Sequence, residues 1–378
     1  MTRGCAPANF VYSDGPEYIA IVALAAERGA LARRRWVSPF EFRSKCADRL
    51  QLCQLTAIKM SKTDSLYTSR MRTRLQFNVT NKPEENVEID ISELNDLLNQ
   101  TWNIYAASAL FGFQHDDVSL KLYSKKLREE IARHLPHEDL TYDANFFIIE
   151  NGSTSNYENY SAIKIEVVAK QNNHEEKSIY KGILLSWTTT QIEPDINNTT
   201  KLPLLLCRGT RNCIDAVHIV ISHMFDCLVM ALPISEDDLN WLIPIIIVLV
   251  DKDEQPIVSG EVHMEYTVSE LPVTDTIKVK FDISELRKIL KNIINQNNMA
   301  NIILDHKHIK QFYEVLYVQM LTIGGLQLGS CTLHRINLPG VTIMENRMKI
   351  MNVEIMNHIL LYLCEKAFDT FHAIRIDI

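Results

Sequence analysis

The sequence predicts an α+β protein built on an antiparallel sheet flanked by helices, preceded by a basic, largely disordered N-terminal extension. Three observations carry this. Strand candidates alternate with period two and follow one another in hairpin order, without regular βαβ alternation. Helix candidates carry their own caps and 3.6-residue apolar stripes. The first 76 residues differ from the rest in charge and pattern: they hold 13 Lys+Arg and 6 Asp+Glu, a net of +7, which leaves −15 on residues 77–378 of a chain at −8 overall. The boundaries follow as 1–85 for the extension, 86–250 for an N-terminal α+β region and 251–378 for a C-terminal α+β region.

Within the body, Asp90-Ile91-Ser92-Glu93 has capping-box spacing, and Ile91, Leu94, Leu97 and Leu98 continue at helical spacing. Trp102–Tyr105 and Leu110–Phe113 read as strands around a turn. A helix is expected from about Asp116 to His134, with Val118, Leu120, Leu122, Tyr123, Leu127 and Ile131 as its apolar stripe and Pro136 after its end. Strands are expected at Phe146–Ile149, at Ile163–Val168, where Ile163, Ile165 and Val167 oppose Lys164 and Glu166, and at Tyr180–Thr189. Leu202–Leu206 is a further apolar run. Helices follow at Ile214–Leu228 and from the Ser235 cap into the run Trp241–Val250, which at about ten residues is half the roughly 20 that a membrane span needs and reads as core.

The C-terminal third predicts strands at Val258–Val268 and Thr276–Phe281. In the second, Ile277, Val279 and Phe281 oppose Lys278 and Lys280. Asp282 or Ser284 caps a helix to about Asn295. A helix spans His308–Leu321 and stops at Gly324-Gly325. Leu326–Leu338 and Val341–Met351 follow as strands around Pro339-Gly340, and an amphipathic helix runs from Glu354 to about Phe371.

A composition of 46% hydrophobic and 23% charged residues excludes a disordered chain, a collagen and a coiled-coil rod. Eight cysteines without a C-x-x-C pair fit reduced thiols. Ile19–Ala26 follows Asp14 and Glu17 rather than a positive segment, so no secretory signal is read there.

Cys207, Cys213, His218, His223 and Cys227 form the best metal look-alike, since thiolates and imidazoles are zinc's ligands. The expected helix sets His218 and His223 about 140° apart, and the usual C-x₂₋₄-C opening is missing, so no metal is expected. His306 and His308 lack a ligand framework and read as turn histidines. Gly324–Gly329 lacks the order of a phosphate loop. Asp237-Asp238 reads as helix-start carboxylates. No nucleophile motif of a known hydrolase is present. The reading is therefore non-catalytic, without a cofactor; an enzyme with an unrecognised pocket is the third reading. Lys278 and Lys280, with Arg335, Arg347 and Lys349, form either a basic stripe across one sheet or a solvated face.

Leu97-Leu98-x-x-x-Trp102-x-x-Tyr105, Leu110-Phe111-x-Phe113 and the helix with Tyr123 and Leu127 resemble the start of the conserved region of the centromere protein L family. Leu202–Leu206 with Gly209, Phe225-Asp226-Cys227 and Leu239-Asn240-Trp241 resemble its second block. Met348-Lys349-Ile350, followed by Leu360, Leu361, Tyr362 and Leu363, resembles its C-terminal end. The blocks fall in the family's order over about residues 95–370. The resemblance implies that the sheet is curved and that it joins the sheet of centromere protein N edge to edge. It also implies a place in the nucleus, within the constitutive centromere-associated network of the inner kinetochore, in contact with other subunits and with centromeric DNA. No membrane contact is implied. Leu326, Leu328 and Ile336 are then the candidate partner-binding residues, and Arg347, Lys349, Lys278 and Lys280 the candidate DNA contacts. The acidic body weakens the expected DNA contact. A protein-binding module of another nuclear assembly is the alternative.

Overall fold

A computed structural model describes residues 23–24, 77–78, 95–136, 139–149, 161–171, 176–187, 199–249, 260–268, 275–294 and 303–374. Most of the extension, and the Asp90–Glu93 cap, lie outside the described residues. The long strands are β3 (Thr101–Ala107), β5 (Leu140–Ile149), β6 (Ala162–Gln171), β7 (Glu176–Leu185), β9 (Leu204–Gly209), β11 (Glu261–Thr267), β12 (Thr276–Asp282) and β14 (Thr332–Leu338). Shorter ones are β1 (Ala23–Leu24), β2 (Phe77–Asn78), β4 (Leu110–Phe111), β8 (Thr199–Thr200), β10 (Val229–Ala231), β13 (Ile303–Leu304), β15 (Val341–Met344) and β16 (Arg347–Ile350). The helices are α1 (Asp117–His134), α2 (Arg211–Phe225), α3 (Glu236–Leu249), α4 (Ile283–Ile294), α5 (His306–Gly324) and α6 (Val353–Ile374).

One 12-stranded antiparallel sheet carries the fold, in the order β1-β12-β11-β14-β15-β16-β3-β9-β7-β6-β5, with β10 also on β3. The class is α+β. The sheet runs without a break across residue 250, because β16 pairs with β3.

Helices cover opposite faces of the two halves. On one face α3, α4, α5 and α6 bury Trp102, Ile104, Met264, Tyr266, Ile336, Ile343 and Met348. On the other, α1 and α2 bury Ile163, Ile165, Val167, Tyr180, Leu205 and Cys207. Strand β9 belongs to both cores. Its Leu204 and Leu206 enter the first and Leu205 and Cys207 the second, as the two-residue period requires of a strand buried on both sides. Fully burying one such aliphatic side chain contributes about 1.5–3 kcal/mol.

Local chemistry sets the element ends. The Asp116 carboxylate accepts from the N–H groups of Val118 (3.0 Å) and Ser119 (2.9 Å), so α1 starts where its cap places it. The Asp305 carboxylate accepts from the His308 N–H at 2.8 Å, while His308 Nδ1 accepts from the Asp305 N–H at 3.3 Å, which moves the start of α5 back to His306. Gly325 ends it at φ 63°. Pro339-Gly340 turns β14 into β15, with Gly340 at φ 89°.

Several expectations are corrected. Trp102–Tyr105 and Leu110–Phe113 do not pair with each other: β3 lies between β16 and β9, and β4 pairs with β8. Residues 95–97 form only a 3₁₀ turn. Val118 and Leu122 are exposed, because β5 and α2 reach only one side of α1. Val341–Met351 is two strands, since Glu345 at φ 51° makes a second turn. Leu326–Leu338 is strand only from Thr332, because a 3₁₀ turn at Leu328–Ser330 comes first. Among the described residues no helix is long and apolar enough to cross a membrane.

Candidate functional site

The C-terminal half of the sheet leaves the face opposite α3–α6 without a described helix. Antiparallel register builds a row across it. Lys278 sits opposite Glu265, Glu265 opposite Arg335, Arg335 opposite Met344, Met344 opposite Arg347, and Arg347 opposite Asn103. Residues directly opposite share a face, so one row carries three of the expected cations.

The cations are not equivalent. Glu265 approaches Lys278 Nζ at 3.4 Å and Arg335 at 3.7 Å. Glu261 holds Lys280 Nζ at 3.0 Å and His263 at 2.9 Å, and these two contacts hold its carboxyl below the usual carboxylate range. Lys278 and Lys280 therefore face the open side already matched by acids. Arg347 and Lys349 make no ion pair among the described residues, and Arg347 is exposed.

Beside Arg347 the open face meets α2. Burial pushes the Tyr105 phenol up, nearby Cys207 and Asp215 add to this, and Arg211 and Arg347 oppose it. Arg211 is exposed at the first position of α2. Arg347 and Arg211 thus both stand near Tyr105, and Lys349 continues the row on β16 opposite Thr101. Sequence spacing does not single out Arg211, because only the fold brings it near Tyr105.

The expected partner-binding residues are not on an edge. Leu328 lies in the 3₁₀ turn and Leu328 and Ile336 are buried in the first core, so neither side chain faces outward. Leu326 is half-buried against the same core. Strand β14 is interior, paired with β11 and β15. Among the described residues the sheet ends instead at the two-residue β1, laid along β12, and at β5. On β12 the outer side is met, among the described residues, only by β1 at Ile277 and Lys278. On β5 the N–H of Phe146 donates to Ser124 Oγ at 3.0 Å and that of Ala144 to the Asp143 carboxylate at 3.0 Å, so side chains already take two donors in the middle of that edge.

The zinc look-alike does not assemble. Cys207, Cys213 and Cys227 are buried, with thiols pushed up by desolvation to about 12. His218 is buried and pushed down by desolvation to about 4, with its ring edge-on to Tyr105 at 4.5 Å, while His223 is exposed. Among the described residues no group of three His, Cys, Asp or Glu could hold a metal.

Asp238 is a residue that helix-start logic undersold. Its carboxylate accepts from the Ser235 N–H (2.6 Å), Ser235 Oγ (2.5 Å) and Tyr362 Oη (2.9 Å), and pairs with Lys366. It fastens α3 to α6 rather than serving chemistry. A cleft of about 410 Å³ between α1 and β5 holds Asp117, Lys121, Ser124, Lys125, Arg128 and Asp143. Its hydroxyl is occupied: Ser124 Oγ donates to the Leu120 carbonyl at 2.8 Å and accepts from Phe146.

The family described as centromere protein L (CENP-L) matches residues 96–368. No curated protein sequence matches the chain. The family match spans β3 to α6 and so takes in both halves of the sheet, the open face and the α3–α6 tie. The chain belongs to the centromere protein L family.

Proposed function

We propose that this centromere and kinetochore protein of the nucleus is a non-catalytic inner-kinetochore subunit that pairs with centromere protein N and supports chromosome segregation at the centromeric nucleosome. The pairing uses the C-terminal end of the sheet. The observation that supports it is the C-terminal end of the sheet, where the outer side of the seven-residue β12 is met, among the described residues, by the two-residue β1 alone, at Ile277 and Lys278. Unpaired strand edges are templates for strand addition. The opposite edge, β5, is the poorer template because Ser124 and Asp143 already take two of its central donors.

DNA contact is the second part of the proposal. Arg347 and Lys349 lie on the open face without an acid of their own, and Arg211 joins them. A body at −15 supplies no general attraction for phosphate, so the contact is local and adds to that of the partner. Lys278 and Lys280 contribute less, since Glu265 and Glu261 neutralise them.

The test is a tagged copy expressed in cells. Centromeric foci and co-purification of centromere protein N support the proposal. Purification without that partner, with no foci, sinks it.

A further inference from the structure

The cleft between α1 and β5 lies at the far end of the sheet from β12 and from the Arg347 face, and the proposed function uses none of it. Lys121, Lys125 and Arg128 line one wall, all from α1. Positions i, i+4 and i+7 fall along one flank of a helix. Lys121 and Lys125 are exposed and make no ion pair among the described residues. Arg128 reaches Asp143 at only 3.8 Å, and Asp143 is shared with Lys170 at 3.5 Å. The floor is apolar, with Leu120 and Phe146 buried and Phe147 45% exposed at the rim. Asp117 sits at the start of α1 as the opposing charge. A partly cationic cleft on an acidic body is a local feature, because residues 77–378 carry −15.

We infer that this cleft docks an extended acidic peptide segment of a partner protein, with carboxylates at alternate positions. The spacing supports this occupant. Lys121 to Lys125 is a rise of about 6 Å along the helix. Alternate residues of an extended chain are about 6.6 Å apart and point the same way. Two carboxylates at i and i+2 therefore meet Lys121 and Lys125 in register, and a third at i+4 reaches towards Arg128. Asp143, which now stands near Arg128, is the intramolecular stand-in for that third carboxylate. Asp117 repels an acid placed before the first and so fixes where the acidic run begins. Main-chain pairing with β5 is not required, and Ser124 and Asp143 already occupy the Phe146 and Ala144 donors. The residues between the carboxylates lie over Phe146 and Phe147.

The probe is a fluorescein-labelled decapeptide alternating Glu with Val and Thr, titrated with the full chain, alone and in its complex with centromere protein N, and followed by anisotropy. The wild type should bind it with an affinity that falls with salt and should bind the Gln counterpart at least about tenfold more weakly. Lys121→Glu with Lys125→Glu should lose at least about tenfold for the Glu peptide and gain affinity for a Lys-substituted one. Both positions are exposed, so unchanged melting confirms that the fold is intact. Equal binding of Glu and Gln peptides overturns the inference, as does a double variant that keeps wild-type affinity. A double variant that loses duplex DNA but keeps the peptide also overturns it, because the cleft would then be a phosphate site.

Discussion

Replacing Arg347 and Lys349 together by Ala separates the unmatched cations of the open face from the matched ones. Each phosphate contact contributes about 0.9 to the slope of log K against log salt. Two lost contacts therefore lower the slope by about 1.8. Between about 50 and 200 mM salt, this makes the affinity of the variant change about tenfold less than that of the wild type. The matching pair Lys278→Ala with Lys280→Ala removes charges that Glu265 and Glu261 hold at 3.4 and 3.0 Å, so its slope should fall by less than about 0.5. The assay is anisotropy of a labelled duplex titrated with the assembled pair across a salt series. An unchanged slope in the Arg347/Lys349 variant, or an equal fall in the Lys278/Lys280 variant, refutes the reasoning from ion pairing.

Asp238→Ala leaves the buried Tyr362 hydroxyl and the Lys366 ammonium without their acceptor, and should cost about 3 kcal/mol in denaturant unfolding; less than about 1 kcal/mol would mean that the α3–α6 tie is redundant. His218, pushed down to about 4 by burial, takes up its proton in the unfolded chain at a higher pH than in the fold. Its contribution is complete above about pH 6.5 and is lost as pH falls towards about 4, on the order of 2–3 kcal/mol. His218→Gln should flatten the stability-against-pH curve in that window, and a variant curve parallel to the wild type contradicts the linkage. Chelation should leave the melting temperature unchanged, because protonated Cys207, Cys213 and Cys227 make no metal site; a fall on adding chelator would restore zinc.

What was legible in the sequence is what is local. The start of α1 at about Asp116, the alternation of Ile163, Ile165 and Val167, and the stop at Gly324-Gly325 depend on neighbours in the chain, and all three stand in the structure. Pairing partners were not legible. Nothing near Lys278 indicates that Glu265 lies opposite it, nor that the same Glu265 faces Arg335 some 70 residues on, because register between distant strands is a property of the whole sheet. The apolar run from Leu326 reads as strand because buried apolar residues look alike in a strand and in a 3₁₀ turn. Leu328 fills the core from such a turn. Val118 and Leu122 fit a helical stripe equally well, but among the described residues no element packs on that side of α1. Asp238 looked like any carboxylate at a helix start until α6 brought Tyr362 and Lys366 to it, more than 120 residues later.

The most direct test of the central claim is hydrogen exchange on the chain alone and in complex with centromere protein N. Strand addition at the C-terminal edge predicts slowed exchange of alternate amides across Thr276–Asp282, with β5 unchanged. Unchanged exchange at Thr276–Asp282 in a stable complex, with new protection at β5 or on the helices, contradicts it.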